Sequence, residues 1–299
     1  MAPFRRRNRK NRKEGRARKS RVRHLFMKTF RRIVSDIIII AAIIVLAVSA
    51  YNLYKIFSEY SAAEKEYSEI SDRVSKKKDE EKKEEEEDPC PISIDFEELK
   101  KINPDVVGWI YCEDTVIDYP VLKGKDNDQY LHHTMEGQYN SSGSIFMDYM
   151  NEPDLSSINT ILYGHHMKNG SMFASLKKYN DQEYYEEHPV MWYLTPEKNY
   201  KLNVFAGFVE RYDSPIYGIF TDKKELTDYL NASMDKSRIE LPEELSLLKN
   251  EDIGHIMVLS TCDYSFDNAR YILLCVYDKE EDIPSGQKTE VLDDDFPEK

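Results

Sequence analysis

The sequence predicts a mainly β domain, an antiparallel barrel or sandwich with helices inserted between the strands, behind one membrane-crossing helix. Three observations predict it. Apolar or alternating runs of four to ten residues recur from about Ile92 to Tyr277 and outnumber the helical patterns. An 18-residue stretch, Ile37–Tyr54, holds no charge. Aromatic residues make up 12% of the 299-residue chain, which is apolar mass enough for one packed domain and excludes wholesale disorder.

The elements follow in chain order. Residues 1–32 hold 15 Lys and Arg against one acid, Glu14, a charge of +14. The whole chain carries −13, so everything after residue 32 carries −27. Ile37–Tyr54, bracketed by Asp36 and Lys55, is long enough at about 1.5 Å per residue to nearly cross the hydrocarbon core of a bilayer. Tyr51 and Tyr54 fall where an interfacial aromatic belt lies, and the Ile-rich run has no polar stripe of a surface helix. The positive-inside rule puts residues 1–36 in the cytoplasm and the chain after Lys55 outside. A rival reading is a cleaved signal peptide at Val48-Ser49-Ala50, although a 36-residue basic region is long for one. Both readings export the rest. The basic head reads as a topology signal touching inner-leaflet lipid, not as a nucleic-acid surface.

Residues 55–88 carry 8 basic and 13 acidic side chains and form, with the next few residues, a stalk or linker over 55–91. Tyr60, Tyr67, Ile70 and Val74 are spaced helically, while Lys76–Asp88 reads as a solvated spacer. The globular part spans 92–278. Asp95–Ile102 reads as a helix capped by Asp95, and Val107–Ile110 and Thr115–Val121 as strands. Asp126–His132 looks helical and Gly143–Met147 extended; Asn159–Tyr163 is an apolar strand stopped by Gly164. Ser171–Tyr179 reads as a helix capped by Ser171, Tyr200–Val209 as a strand, and Lys223–Arg238 as an amphipathic helix. His255–Leu259 and Arg270–Tyr277 are strong strands, and residues 279–299 form an acidic tail expected to be poorly ordered.

Four cysteines, Cys90, Cys112, Cys262 and Cys275, match no disulfide framework, although a Cys90–Cys112 bridge is open. Cys275 lies inside a strand, where a buried apolar role is the default. Cys262 differs, because it follows an apolar strand and precedes a polar turn, after which the next strand opens with Arg270. Two antiparallel strands joined there bring Cys262 and Arg270 to one rim of a sheet, where a guanidinium can lower a thiol pKa or stabilise an oxyanion. A structural Cys with a surface Arg is the competing account of the same spacing.

In Tyr163-Gly164-His165-His166, a strand ends at a glycine and an imidazole follows at once. His132-His133 forms a second pair, which raises zinc, but adjacent rings point apart and the spacing is not that of a zinc site. We expect no metal. Cys and His on separate strand ends form a nucleophile–base arrangement. At ordinary pKa values, roughly 3% of a thiol is thiolate and roughly 25% of an imidazole is protonated at pH 7. A productive site must raise the ion-pair fraction by mutual contact or a nearby Arg, or work through a small population.

Tyr163-Gly164-His165, Leu259-Ser260-Thr261-Cys262 and Arg270 eight residues on resemble, in this order, the three signatures of sortases, membrane-bound cysteine transpeptidases of Gram-positive bacteria. The basic head, single span and exported domain match as well, and the resemblance covers residues 92–278. The helix Lys223–Arg238 resembles the insertion of class B sortases. The resemblance implies an eight-stranded β-barrel with added helices. It implies Cys262 as nucleophile on a C-terminal sorting signal, His165 as acid and base, and Arg270 as holder of the substrate carbonyl. Ser260 and Asp263 are carried over as substrate-binding. The implied partners are surface proteins bearing a sorting signal, a peptidoglycan precursor amine, and the bilayer through the N-terminal helix. No cofactor is implied. A pilus-type sortase joining pilin subunits, a plain cysteine hydrolase and a non-enzymatic membrane-tethered binding domain are the alternatives.

Overall fold

The structure is a computed structural model that describes residues 3–78, 89–277 and 283–284. Most of the expected spacer Lys76–Asp88 and nearly all of the acidic tail therefore lie outside the described residues. The chain divides into two compact units, one up to Ser58 and one from Glu59 onward. Helix α1 (Pro3–Val74) begins in the first unit, where it carries the uncharged run, and by length and composition it is the one described helix able to cross a membrane.

The second unit is a closed eight-stranded barrel. Its strands are β3 (Val106–Tyr111), β4 (Asp118–Lys123), β5 (Ile145–Met147), β6 (Asn159–Tyr163), β7 (Val190–Leu194), β8 (Lys198–Arg211), β9 (His255–Cys262) and β10 (Ala269–Tyr277). The order runs β10-β9-β6-β5-β4-β3-β7-β8, and β8 then pairs with β10, so no edge remains. Two pairings, β4–β5 and β6–β9, are parallel, which departs from the antiparallel expectation. A two-stranded ribbon of β1 (Ser75–Lys77) and β2 (Ile92–Ile94) stands beside the barrel.

Alternation along the strands splits the core. Met257, Leu259, Tyr271, Leu273 and Cys275 join the larger apolar cluster. Ile256, Val258, Ile272, Leu274 and Val276 join a second cluster with Leu226 and Leu230 of a helix over Lys223–Ser233 that lies between β8 and β9. Ala63, Tyr67, Ile70 and Val74, spaced as one helical stripe of α1, are buried in the larger cluster. The helix-like spacing in the stalk is therefore a packing face of the barrel unit.

Helix α2 (Phe96–Ile102) is capped as expected, with Asp95 Oδ1 accepting from Glu98 N at 3.0 Å. Three expected elements differ. Asp126–His132 is a run of turns, because the Asp126 carboxylate takes the N–H groups of Asp128 and Gln129 and offers the backbone a turn in place of a helix. Ser171 does not cap a helix; its hydroxyl bonds Asn169 Oδ1, and Phe173–Asn180 is a 3₁₀ helix. The long helix stops at Ser233 and tightens into a 3₁₀ turn over Met234–Lys236. Cys112 carries a free thiol and so makes no bridge with Cys90.

Candidate active site

Strands β6, β9 and β10 lie side by side, and their pairing assembles the site. β9 and β10 are antiparallel with Cys262 directly opposite Arg270, so the two side chains stand on one face. β6 and β9 are parallel, with Tyr163 opposite Ser260, and Gly164 N continues the ladder to Ser260 O at 3.1 Å. The C-terminal ends of β6 and β9 and the start of β10 thus share one rim, which places His165 beside the level of Cys262. Alternation puts Ser260, Cys262 and Arg270 on the side of the wall covered by the Lys223–Ser233 helix.

The approach to His165 requires a glycine. A Cβ at Gly164 would stand 2.5 Å from Ile145 Cδ1 and 2.7 Å from the Phe173 ring, both fully buried. Gly164→Ala is expected to destabilise the domain by about 1–3 kcal/mol through overpacking. Thermal unfolding checks this as a fall in Tm.

His165 Nε2 lies 2.7 Å from the Leu131 carbonyl, which can only accept, so Nε2 carries a proton. In the neutral ring Nδ1 is then the nitrogen free of hydrogen and able to take one up. Burial lowers the pKa of His165 below the ordinary imidazole value; the bond to Leu131 opposes this, and the nearby His132 and Arg270 add to the lowering. The His132 ring stacks on it at 5.6 Å between centroids. Arg270 Nη1 donates to its neighbour's carbonyl, Ala269 O, at 3.0 Å, which fixes the guanidinium at the rim.

Cys262 is half-buried, unlike the other cysteines. Burial pushes the thiols of Cys112 and Cys275 up, away from thiolate chemistry. Ser260 is buried, and its Oγ pairs with Tyr217 Oη at 2.9 Å. Tyr217 stacks on Tyr163, whose hydroxyl donates to Asp148 Oδ2 at 2.9 Å. Asp263 has a fully buried side chain in a 2.5 Å ion pair with Lys177, and it accepts from Ser265 N and Oγ. Burial alone would raise the Asp263 pKa, but the bonds from Lys177 and Ser265 hold it below the usual carboxylate value. Leu131, Tyr217 and Lys177 belong to no motif; they reach the site from three separate parts of the chain.

The paired histidines diverge. His133 Nδ1 lies 2.9 Å from Gln129 O, and the His166 ring meets the exposed Tyr264 edge-on. Among the described residues, no group of three or more His, Cys, Asp or Glu is arranged to hold a metal. A cavity of about 460 Å³ lies elsewhere, between α1 residues 63–72 and β4, and Cys262, His165 and Arg270 take no part in its lining.

A closed mixed barrel with Cys, His and Arg on three neighbouring strand ends defines a class, and the comparisons agree. The Sortase domain family matches residues 110–277, more than half of the chain, and the chain belongs to this family of cysteine transpeptidases, which anchor proteins to the cell wall. Its similarity is to class B. Sortase B of Listeria monocytogenes is 39% identical over 173 residues, covering 58% of this chain and 69% of the relative. Sortase B of Staphylococcus aureus is 36% identical over 182 residues, covering 60% and 72%. The crystal structure of sortase B from Bacillus anthracis superposes with a TM-score of 0.60 at 33% identity, over 74% of this chain and 99% of that one. The protein is a class B sortase.

Proposed function

We propose that Cys262 is the nucleophile of a transpeptidation on a C-terminal sorting signal. The thiolate attacks the carbonyl carbon of a threonine in the signal, a C–S bond forms and the peptide C–N bond breaks. His165 gives its proton to the leaving amine. It then takes one from the incoming amine of a peptidoglycan precursor, which displaces the thiolate and joins the surface protein to the wall. Arg270 holds the carbonyl and stabilises the oxyanion. Ser260 is held from below by Tyr217, and Asp263 anchors the turn between β9 and β10 through Lys177. The observation that carries this is the direct pairing of Cys262 with Arg270 beside the strand end that delivers His165.

The polarity of the chain supports the rest of the organisation. Residues 1–36 form the cytoplasmic head, 37–54 the span, and the catalytic domain faces the wall, where its acceptor is made.

The test is mass spectrometry of the full chain in detergent with a library of sorting-signal peptides. An acyl adduct on Cys262, discharged by added amine, is expected. Turnover by water that ignores the amine would identify a hydrolase instead.

A pH dependence follows. At low pH both thiol and imidazole hold protons and no thiolate exists, so the rate rises only once the first proton leaves. Burial eases release of the proton from His165, and the neutral ring can then take the proton of Cys262. The acid limb of kcat/KM is therefore expected below about pH 6.5, the ordinary imidazole value. A limb well above that value would contradict the assignment of His165.

A further inference from the structure

The loop between β4 and β5 holds His165, and the last turns of α1 hold that loop. The Leu131 carbonyl that takes the Nε2–H of His165 belongs to this loop. Gly143, at its far end, adopts φ +55 and runs directly beneath that carbonyl: a Cβ there would stand 2.4 Å from Leu131 O and 2.8 Å from Tyr130 O. Ser144 N closes the loop by donating to Tyr130 O at 3.0 Å, and Ser144 Oγ donates to His133 O at 2.8 Å.

Tyr67 of α1 reaches this closure. Its hydroxyl donates to Gly143 O at 2.7 Å and lies 2.9 Å from Ser144 Oγ, and its ring packs edge-on against Tyr119 of β4. Further contacts bind the same loop to the same helix, among them Ser141 Oγ donating to Glu59 Oε2 at 3.2 Å. Asn140 Nδ2 donates to Glu59 O at 2.9 Å, and Glu136 N donates to Glu66 Oε1 at 3.0 Å. Tyr67, 3% exposed, is thus the buried centre of a helix-to-loop interface whose other side carries the acceptor for the imidazole.

We infer that Tyr67 and Gly143 are positioning residues for His165, and that the helical segment following the uncharged run sets the imidazole through the Leu131 carbonyl. This rests on the proposed role of His165 as acid and base. The chain of contact is short: hydroxyl to Gly143 carbonyl, Gly143 backbone against the Leu131 oxygen, Leu131 oxygen to Nε2. A carbonyl is a fitting orienter because it accepts only, fixes the tautomer and does not itself titrate. Its cost is that it must be placed by backbone packing, and in this fold the packing comes from a segment more than 60 residues earlier in sequence.

The groups that face His165 are Leu131 O, the stacked His132 ring and the Arg270 guanidinium across the rim. Arg270 lies on β10, outside this loop, and His132 adjoins Leu131 within it, so a shift in His165 titration when Tyr67 changes reports on the placement of the loop against the imidazole. That bond raises the affinity of His165 for its proton; loosening it lowers the affinity further.

The experiment uses the full chain in detergent micelles, with histidine labelled for NMR. Tyr67→Phe keeps the ring and removes the hydroxyl. It is expected to leave the circular-dichroism spectrum of the fold intact and to lower kcat by about tenfold with KM changed by less than about twofold. The NMR titration midpoint of His165 is expected to fall by about 0.5 pH unit, the scale of a partly lost hydrogen bond. Gly143→Ala, which drives a Cβ into the Leu131 oxygen, is expected to act in the same direction by about 100-fold in kcat. An unmoved His165 midpoint in Tyr67→Phe, or an unchanged kcat, overturns the inference. His165→Ala in the same assay separates the two readings. If it keeps a near-wild-type rate, the acid–base role fails. If it is inactive while Tyr67→Phe behaves as wild type, only the positioning role fails.

Discussion

Cys262→Ala is expected to abolish acyl transfer while leaving a folded domain. The thiol is half-buried at a strand end, and its loss leaves neither a core cavity nor an unpaired buried group. The fold is therefore expected to keep its Tm to within a few degrees, of the order seen for surface changes. The rate has no such protection, because the covalent route needs the sulfur: at least about a 10⁴-fold loss is expected, the scale of nucleophile removal in enzymes of this logic. The measurement pairs product formation with mass spectrometry of the protein; the adduct and the product must vanish together. A variant that still anchors substrates would instead favour a binding scaffold.

Arg270→Ala is the second large effect. Its guanidinium stands opposite Cys262 in register, tethered by one Nη to the Ala269 carbonyl. Losing a preorganised oxyanion donor costs about 10²–10³ in kcat. Arg270→Lys is expected to recover little of this, because an ammonium lacks the planar fork that grips a carbonyl from a fixed direction. Steady-state kinetics on a sorting-signal peptide decides it. If Arg270→Lys restores most of the rate, charge alone suffices and the positional role is wrong. Arg270→Ala also removes a positive charge beside His165, so in that variant the acid limb is expected to move upward as the rate falls.

Much of the site was legible because its three residues sit at ends of strongly patterned strands. The runs over 255–259 and 270–277 have the apolar density of core strands, and the turn between them dictates that Cys262 and Arg270 meet. His165 was legible for a related reason: an apolar strand stopped by a glycine leaves the next side chain at the mouth of the barrel. The supports were not legible. Lys177 and Leu131 act through one atom each and Tyr217 through its hydroxyl and its ring, on segments whose patterns report burial and not what they face. Asp126–His132 misled as a helix because its polar and apolar spacing fits one, while a single carboxylate bonding its own backbone turned the chain instead.

The sequence by itself determined the basic head before an uncharged run, the mainly β character of the domain and the placing of Cys262, His165 and Arg270 at strand ends. Each follows from local chemistry: charge asymmetry about an uncharged run, alternation along strands, and residues placed at strand ends. Only the tertiary structure decided that β6 runs parallel to β9, that the barrel closes between β8 and β10, and that residues 59–74 pack into the catalytic unit. These depend on pairings between segments far apart in the chain, where many partners satisfy the same backbone hydrogen bonds and only the packing of the whole core selects one.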